Sequence, residues 1–436
     1  VATLTRLQKQ SPPTRTWNRL KFQNNIYYFK LKAMQFFIPK TQITLCLSSV
    51  IYCSIGTIPV LGQIVPANAG TNTQVTIEGN QTDITGGQLS GDGANLYHSF
   101  DEFGVDSGQI ANFISNPNID NILGRVTGGD PSIINGLLQV TGGDSNLFLL
   151  NPAGIIFGAG ASLNVSGDFI ATTATGIGLD SNTQYNVLGA NNWAELVGTP
   201  NSFNFALANP GAIVNLGNLA VPAGANLGLL GGSVLNTGNL SAPAGNVTVA
   251  AVPGESLVRL SAAGNLLSLE MLPNPGNTNL GISPLQLPGL LTGSDVESAS
   301  QVTVNTDGSI SLAGSSASIH PQPGDAIVGG SVSVASPDIA PSSGEGSTIQ
   351  VLGNRVATLG TNLDASGVNG GGNIFIGGDY QGGGTLPTAQ YTFVDSQTFI
   401  SADALQQGDG GQVIVWADNT TGFFGRSPRV WPLNCD

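Results

Sequence analysis

Short runs of alternating apolar and polar residues recur along most of the chain after about residue 63, and Gly, Asn or Pro separates one run from the next. Leu227, Leu229 and Val234 lie in such runs, as do Val247 and Val249. Alternation of this kind is typical of half-buried β-strands. Because Gly and Asn accept the left-handed backbone that tight corners need, the pattern predicts an all-β protein of short strands.

The runs also repeat. Segments 213–232 and 234–254 match at an offset of 21 residues, and a looser match joins 363–376 to 400–415. Three strands per repeat, each stacked on its copy in the next repeat, make a parallel β-helix. We therefore predict a right-handed parallel β-helix with an amino-terminal cap and extra-helical loops. Its corners would carry Asn ladders, and at roughly 20 residues per coil it would reach up to about 17 coils. An up-and-down barrel or a β-sandwich is the alternative, which regular corner repetition disfavours.

The pattern divides the chain into segments of different character. The cap is expected within 63–100, and loops outside the coil are expected at 269–298 and 320–348, where Pro, Ser and Gly accumulate. The predicted organisation is an upstream extension at 1–33, a signal peptide at 34–62, a β-helix domain at 63–268, a loop-rich region with further strands at 269–348, C-terminal β-helix coils at 349–425 and an off-pattern tail at 426–436.

The signal peptide is predicted from the order of residue types. A short basic segment with Met34 and Lys40 precedes the apolar run 41–62, and small residues follow. A transmembrane helix is the alternative, which Gly56 and Pro59 disfavour. Cys46 and Cys53 lie inside the apolar run, so only Cys435 remains after cleavage. Neither an intrachain disulfide nor a thiolate metal site is then expected.

Charge is segregated along the chain. Eight of the 13 Lys and Arg lie in the first 40 residues, and no acid precedes Glu78. The part after Lys40 therefore carries 27 acids against five Arg, a net charge of −22. Such a surface repels nucleic acid and anionic membranes. Solubility of an extracellular protein explains the charge, and binding of divalent cations by scattered acids is the alternative.

Two Asn-Pro motifs lie in the predicted β-helix domain. The first is Asn116-Pro117-Asn118-Ile119, and the second is Asn151-Pro152-Ala153-Gly154-Ile155. Pro fixes its own φ and keeps the preceding Asn extended, so that the Asn side chain can bond nearby backbone. The motifs therefore suit corners, and a purely structural role in turns is the alternative to contact with a partner.

The motif pair, in this order after a signal peptide and before solenoid repeats, resembles the N-terminal two-partner secretion domain of the filamentous haemagglutinin family. The sequence around the motif pair, with two VTGGD copies at 126–130 and 140–144, looks like that of the cyanobacterial branch of the family. Ile119 replaces the usual Leu. Ala153 replaces the usual Asn, so one corner hydrogen bond is expected to be missing.

The resemblance implies a function rather than a chemistry. It implies that 63–268 is a two-partner secretion/haemagglutination-activity-like domain of a secreted or cell-surface exoprotein. The expected route is export through the periplasm by an outer-membrane β-barrel transporter whose periplasmic domains recognise this region while it is unfolded. Because family proteins usually continue far beyond this length, the off-pattern tail at 426–436 is expected to mark a truncated exoprotein, or a fragment whose adhesive or effector region is missing or encoded separately. An adhesin would then bind a host or cell-surface carbohydrate or protein, and no nucleic acid. A passive surface or sheath component is a further alternative.

The remaining alternative is a β-helix carbohydrate-active enzyme, a lyase or hydrolase. Asp364 and Asp379 are near one another in sequence, but Arg125, Arg259 and Arg355 are isolated, and such enzymes need clustered acids with a basic group. His98, close to Asp101 and Glu102, is interpreted as a capped loop. We therefore expect a non-enzymatic protein without catalytic residues, metal or cofactor.

Overall fold

The structure, a computed structural model, describes residues 63–259, 322–336 and 347–427, and the backbone of four further short strands. All lie in the second of two units, Ile58–Asp436. The predicted upstream extension (1–33) and signal peptide (34–62) therefore lie outside the described residues. Apart from strands, the described residues form two single-turn 3-10 helices, Trp193–Glu195 and Tyr380–Gly382. They contain no helix with the length and apolar character needed to cross a membrane.

The first six strands close one end of the structure. They are β1 (Ile64–Pro66), β2 (Gln74–Glu78), β3 (Gln81–Thr85), β4 (Gln88–Leu89), β5 (Asn95–Phe103) and β6 (Ile110–Ile114). β2 and β3 form an antiparallel hairpin, and β1 and β4 pair antiparallel with β5. β3 then pairs in parallel with β6. These antiparallel strands occupy the edge at which the parallel coils begin, so they form the amino-terminal cap that the sequence predicts.

The remaining strands follow in chain order. The first group is β7 (Asn121–Val126), β8 (Ser132–Ile134), β9 (Leu137–Thr141), β10 (Asn146–Leu150), β11 (Ile155–Phe157), β12 (Ser162–Asn164), β13 (Phe169–Thr172), β14 (Gly176–Leu179), β15 (Gln184–Asn186), β16 (Pro200–Phe205), β17 (Ala212–Asn215), β18 (Asn218–Ala220), β19 (Leu227–Gly231), β20 (Ser233–Asn236), β21 (Asn239–Ser241) and β22 (Asn246–Ala251). The second group is β23 (Ser256–Arg259), β24 (Ser268–Glu270), β25 (Val302–Val304), β26 (Ile310–Leu312), β27 (Ser318–Ile319), β28 (Asp325–Val328), β29 (Ser331–Ser333), β30 (Thr348–Leu352), β31 (Arg355–Thr358), β32 (Asn362–Asp364), β33 (Asn373–Ile376), β34 (Tyr391–Val394), β35 (Phe399–Ser401), β36 (Gln412–Val415) and β37 (Thr420–Phe423).

Three parallel sheets carry the coil, and the chain visits them in the order A, C, B. Sheet A is β1-β5-β7-β10-β13-β19-β22-β30-β33-β36, sheet C is β8-β11-β17-β20-β28-β31-β34-β37, and sheet B is β2-β3-β6-β9-β12-β18-β21-β29-β32-β35. Equivalent strands of successive coils pair in parallel, so the architecture is the predicted parallel β-helix. Its handedness stays a prediction.

The described residues make fewer coils than the sequence predicts. Nine strands of sheet A, from β5 to β36, stack in parallel within the described ranges. The register advances by 20 residues from Leu227 to Val247, close to the expected period, but by 39 from Asn373 to Gln412. Insertions between coil strands therefore consume residues that a uniform period assigns to further coils.

Apolar side chains stack in columns inside the coil. One column in sheet A is Leu96, Ile122, Leu147, Phe169, Leu227, Val247, Ile349, Ile374 and Val413, each in register with the next. All but Val413 are buried. Full burial of such a side chain contributes about 1.5–3 kcal/mol, so this interior is the main source of stability that the sequence pattern encodes.

The outer face of sheet A is covered as well, which the sequence pattern does not predict. Strands β14, β15, β16, β23 and β24 form an antiparallel sheet D outside the coil. Its Ile177, Phe203 and Val258 belong to one buried cluster with outward residues of sheet A such as Tyr97 and Phe148. The middle strands of sheet A are therefore buried on both faces, which explains why most strands between β5 and β33 show near-continuous burial rather than alternation.

The loop prediction for 320–348 is wrong over its described part. β28 and β29 are coil strands that pair in parallel with β20 and β21 before them and with β31 and β32 after them. Composition misled here because Ser and Gly next to a two- or three-residue apolar run also form coil corners. Of the loop predicted at 269–298, only the end of β24 is described, and β24 pairs antiparallel with β23 outside the coil.

Two arginines that are isolated in the sequence are buried in the fold. Arg355 makes a two-bond ion pair with Asp325 of the previous coil, with Nε–Oδ1 and Nη2–Oδ2 distances of 2.6 Å. Arg125 contacts no carboxylate among the described residues. Its Nε donates to Ser99 Oγ, and its Nη1 donates to the backbone carbonyls of Asn186, Val187 and Gly189. Both side chains therefore act as cross-links.

Candidate recognition region: the two Asn-Pro turns

The first motif forms the corner between β6 of sheet B and β7 of sheet A. The Ile119 N–H donates to the Asn116 carbonyl (3.1 Å), and the Asn118 N–H donates to Asn116 Oδ1 (2.9 Å). Pro117 has no N–H to satisfy and its fixed φ suits the second position of this turn. We call Asn116–Ile119 the first Asn-Pro turn.

The first Asn-Pro turn is exposed to solvent on one side and hydrogen-bonded to the next coil on the other. Asn116, Pro117 and Asn118 are exposed, whereas Ile119 is buried. Ser145 of the next coil donates to the Ile119 carbonyl (2.5 Å) and shares a hydrogen bond with Ser115. Three consecutive residues of the motif are therefore open to solvent on a fixed base.

Gly143, in the second VTGGD copy, explains how closely the next coil approaches the first Asn-Pro turn. A Cβ atom at Gly143 would lie 2.6 Å from the Asn116 carbonyl oxygen, far closer than van der Waals contact. The glycine of the copy therefore permits the stacking of one coil on the other.

The second motif forms the corner between β10 of sheet A and β11 of sheet C. The Gly154 N–H donates to the Asn151 carbonyl (3.0 Å), and the Ala153 N–H donates to Asn151 Oδ1 (3.0 Å). These are the same two bonds, at the same spacing, as in the first motif. We call Asn151–Gly154 the second Asn-Pro turn, and Ile155 follows it as the fully buried first residue of β11.

The second Asn-Pro turn is enclosed by its neighbours. Asn151 is 1% exposed, and its Nδ2 donates to the Asp130 carbonyl (2.9 Å) and to Ser132 Oγ (3.0 Å) in the previous coil. The Asn151 N–H donates to the Thr172 carbonyl in the next coil (3.0 Å). One side chain thus bonds within its turn and to the preceding coil, and its backbone bonds to the following one.

Gly154 has a conformation that requires glycine. Its φ is +131°, and a Cβ atom there would lie 3.1 Å from the Ala212 carbonyl oxygen. Residues other than Gly rarely adopt such a φ. The backbone conformation of this corner therefore requires the Gly of the motif.

The side chain of Ala153 takes no part in the two bonds that define the second Asn-Pro turn. Both bonds that define the turn are made by Asn151 and by the backbone of residues 153 and 154. Asn118, the equivalent residue of the first turn, also contributes its backbone N–H. The hydrogen bond expected to be missing at Ala153 is not one of the two that hold the turn.

An Asn ladder runs directly beside the first Asn-Pro turn. Asn121 Nδ2 donates to Asn95 Oδ1 (2.8 Å), and Asn146 Nδ2 donates to Asn121 Oδ1 (2.9 Å). The Asn146 Oδ1 in turn accepts from the Asp168 N–H (2.8 Å). The sequence predicts corner ladders in general, and the structure identifies these residues, each of which begins or precedes a strand of sheet A.

The capped loop predicted around His98 is wrong, because His98 lies in strand β5. It is fully buried, its Nδ1 lies 3.3 Å from Thr73 Oγ1, and its Nε2 has no hydrogen-bond partner among the described residues. Burial lowers the pKa of His98 to about 4. Asp101 and Glu102 point outward at the exposed end of the same strand. Both acids are exposed and the imidazole is fully buried, so the strand does not bring them together.

The two acids of the enzyme alternative have local roles. Asp364 Oδ1 accepts from the Ser366 N–H at a corner of sheet B, and Asp379 Oδ1 accepts from the Tyr380 N–H at the start of a 3-10 turn. Within the described ranges, no three His, Cys, Asp or Glu side chains gather as a metal site would require.

Comparison with known proteins identifies the family of the chain. The family model of the TPS secretion domain matches residues 62–312, more than half of the chain, and this range contains both Asn-Pro turns. No curated protein matches the sequence.

Two solved structures are similar to the chain. The HMW1 secretion domain from Haemophilus influenzae shares 18% identity, with 84% of this chain and 96% of that one covered, at a TM-score of 0.39. The filamentous hemagglutinin secretion domain shares 16% identity, with 82% and 99% covered, at a TM-score of 0.30. The strand pairing of the chain itself shows the fold. The match over residues 62–312 shows the family: the chain belongs to the TPS secretion domain family.

Proposed function

We propose that this chain is an exoprotein exported across the outer membrane by a β-barrel transporter, and that it acts as an adhesin or surface protein once outside. The observation that carries the proposal is the family match over 62–312, because a TPS secretion domain implies a dedicated transporter as second partner. The residues proposed to be recognised are Asn116, Pro117, Asn118, Ile119, Asn151, Pro152, Ala153, Gly154 and Ile155.

The burial of the second Asn-Pro turn supports recognition of the unfolded chain. A transporter that bound the folded domain would meet Asn116–Asn118 but could not reach Asn151, which is 1% exposed, or Ile155. A chain still extended in the periplasm presents both motifs. We therefore propose that the periplasmic domains of the transporter bind the extended chain and that the second turn closes after export.

The surface charge supports a role outside the cell without nucleic acid. The chain after Lys40 carries a net charge of −22, which keeps the exported protein soluble and repels anionic polymers. A carbohydrate or protein on a cell surface remains the proposed target of adhesion.

Export can be tested by removing the motif region. We expect the deletion of 112–158 to abolish release into the medium in a cell that carries the transporter, whereas a deletion of equal length in the last coils is exported. The full deletion also removes five coil strands, so a second variant is needed to separate recognition from folding.

The second variant is Asn116→Ala combined with Asn118→Ala, which changes exposed side chains only. We expect reduced export while the thermal unfolding midpoint of the purified protein falls only slightly, because the lost Asn116 hydrogen bond is exposed and contributes about 0.5–1 kcal/mol. Export at the parental level by both the deletion and the double variant would contradict the proposed route.

A further inference from the structure

A patch of aromatic and amide side chains lies on the last coils, beyond the residues that the family model matches. Two connections build it: the segment 377–390 between β33 and β34, and residues 416–419 between β36 and β37. In sheets A and C these connections belong to consecutive coils, so the topology places one next to the other.

The aromatic part of the patch combines an exposed ring with a supporting one. Tyr380 is 59% exposed, and Trp416 and Tyr391 are half-buried. The loop of Tyr380 rests on the indole, since a Cβ atom at Gly382 would lie 3.3 Å from Trp416 Nε1. The loop that carries the exposed ring is therefore packed against the indole at Gly382.

The polar part of the patch is centred on Asp418. Its Oδ1 accepts from Trp416 Nε1 (3.1 Å), and its Oδ2 accepts from Thr388 Oγ1 (2.6 Å) and more weakly from Gln390 Nε2 (3.4 Å). Asn419 Nδ2 donates to Gln390 Oε1 (2.8 Å). These bonds fix Asp418, Gln390 and Asn419 side by side while Asp418 and Asn419 stay exposed. Donors and acceptors are thus preorganised at the surface.

The loop keeps a side chain where its backbone favours glycine. Gly377, Gly378, Gly382 and Gly384 all have positive φ, and Gln381 has φ +53° and ψ +30° among them. A left-handed residue other than Gly is uncommon and costs energy, and such residues cluster at ligand-binding sites. Gln381 Nε2 reaches Tyr380 Oη at 3.3 Å, which places an amide beside the exposed ring.

We propose that this patch, formed by Tyr380, Gln381, Gln390, Asp418 and Asn419, binds an uncharged glycan. A sugar ring offers a flat C–H face that stacks on an aromatic ring and hydroxyls that pair with carboxylate and amide groups. This inference rests on the proposed adhesin function and names the class of its target.

Charge and size favour an uncharged glycan over other partners. The two connections that build the patch contain Asp379 and Asp418 and no Lys or Arg, so an anionic polysaccharide or an anionic membrane would be repelled. Its exposed apolar part is a single ring, whereas a protein interface of usual size buries a core of several apolar residues.

Affinity measurements on the purified full chain test the proposal. The probes are immobilised tetrasaccharides of glucose, galactose, mannose and N-acetylglucosamine, with polygalacturonate as the anionic probe. We expect at least one uncharged tetrasaccharide to bind, and Tyr380→Ala and Asp418→Asn to weaken that binding about tenfold or more, a loss of about 1.4 kcal/mol.

Phe424→Ala is the matched control, because Phe424 is 61% exposed but lies outside the patch, beyond the end of β37. It should bind as the parent does. Failure of the parent to bind any of the four uncharged probes, binding unchanged in Tyr380→Ala, or preference for polygalacturonate would each overturn the proposal. The export assay is independent, because all three variants lie outside 62–312 and the measurement does not use exported material.

Discussion

The two Asn-Pro turns have the same internal bonds and opposite surroundings. In each turn, the Asn carbonyl accepts from the backbone N–H three residues later, and the Asn Oδ1 accepts from the backbone N–H two residues later. The Asn116 side chain is exposed to solvent, whereas Asn151 Nδ2 donates to the Asp130 carbonyl and to Ser132 Oγ of the previous coil. The same local sequence therefore makes a surface loop at the corner between sheets B and A, and a buried cross-link at the corner between sheets A and C.

The difference shows that a motif encodes a turn but not its role. Pro and Asn dictate the local backbone, while the coils above and below decide whether the Asn amide is free. A residue that the folded domain buries, such as Asn151, is accessible only before folding, whereas Asn116 is accessible before and after it. A variant that alters one turn leaves the other as its internal reference.

The largest difference is expected between Asn151→Ala and Asn116→Ala. The first leaves the Asp130 carbonyl, Ser132 Oγ and the Ala153 N–H without their buried partner, so we expect a loss of about 3–4 kcal/mol in the free energy of unfolding. The second loses one exposed bond, and we expect about 0.5–1 kcal/mol. Urea denaturation of both purified variants measures the difference, and equal losses would show that burial of the second turn adds no stability.

Acid should loosen the structure near the first Asn-Pro turn before the second. The pKa of His98 is lowered to about 4 by burial, below the ordinary value of about 6.5. The unfolded chain therefore binds a proton between these pH values while the folded chain does not, and stability falls as pH falls from 6.5 to 4, by about 3 kcal/mol at pH 4.

The readout is hydrogen exchange, corrected for the intrinsic pH dependence. β5, which carries His98, pairs with β7 directly after the first turn, so protection of the Asn118 and Ile119 amides should decrease before that of Ala153 and Gly154. His98→Gln removes the titrating group and is the control. A parent whose stability varies with pH between 6.5 and 4 as His98→Gln does would rule out this His as the cause.

Ser145→Ala should act on the first turn alone. Ser145 is fully buried, and its hydroxyl bonds to the Ile119 carbonyl and to Ser115. Its loss leaves a buried carbonyl unpaired, for which we expect about 1–2 kcal/mol. Exchange of the Asn118 and Ile119 amides should accelerate while that of residues 153 and 154 stays unchanged; acceleration at both turns would mean that the coils open together.

The sequence predicts the coil well because its signal is repetitive. The 21-residue offset between 213–232 and 234–254 is also the register in the structure, where Ile213 pairs with Val234 and Asn218 with Asn239. Each coil repeats the same inward columns, so the alternation and the corner residues indicate the same fold several times.

The parts outside the coil are not predictable in the same way. Sheet D has no repeat, and its strands alternate just as coil strands do, so the pattern cannot tell that they pair antiparallel over sheet A. Burial of the second Asn-Pro turn depends on Asp130, Ser132 and Thr172, which lie about one coil away in sequence. Such contacts depend on how successive coils align with one another, and the sequence of the motif alone does not specify that alignment.

The smallest effect is expected from Ala153→Asn, which makes the second motif more similar to the first. Both turn bonds come from Asn151 and the backbone, and the side chain of Ala153 is half-buried. We therefore expect stability to change by no more than about 0.5 kcal/mol. Export of the variant by the same transporter, compared with the parent in one culture, then reports on recognition alone. Increased export at unchanged stability would mean that the transporter contacts the side chain at position 153 in the extended chain; a stability gain above 1 kcal/mol would instead show that the Asn amide completes a bond in the folded corner, and that Ala153 costs the second turn more than its two backbone bonds indicate.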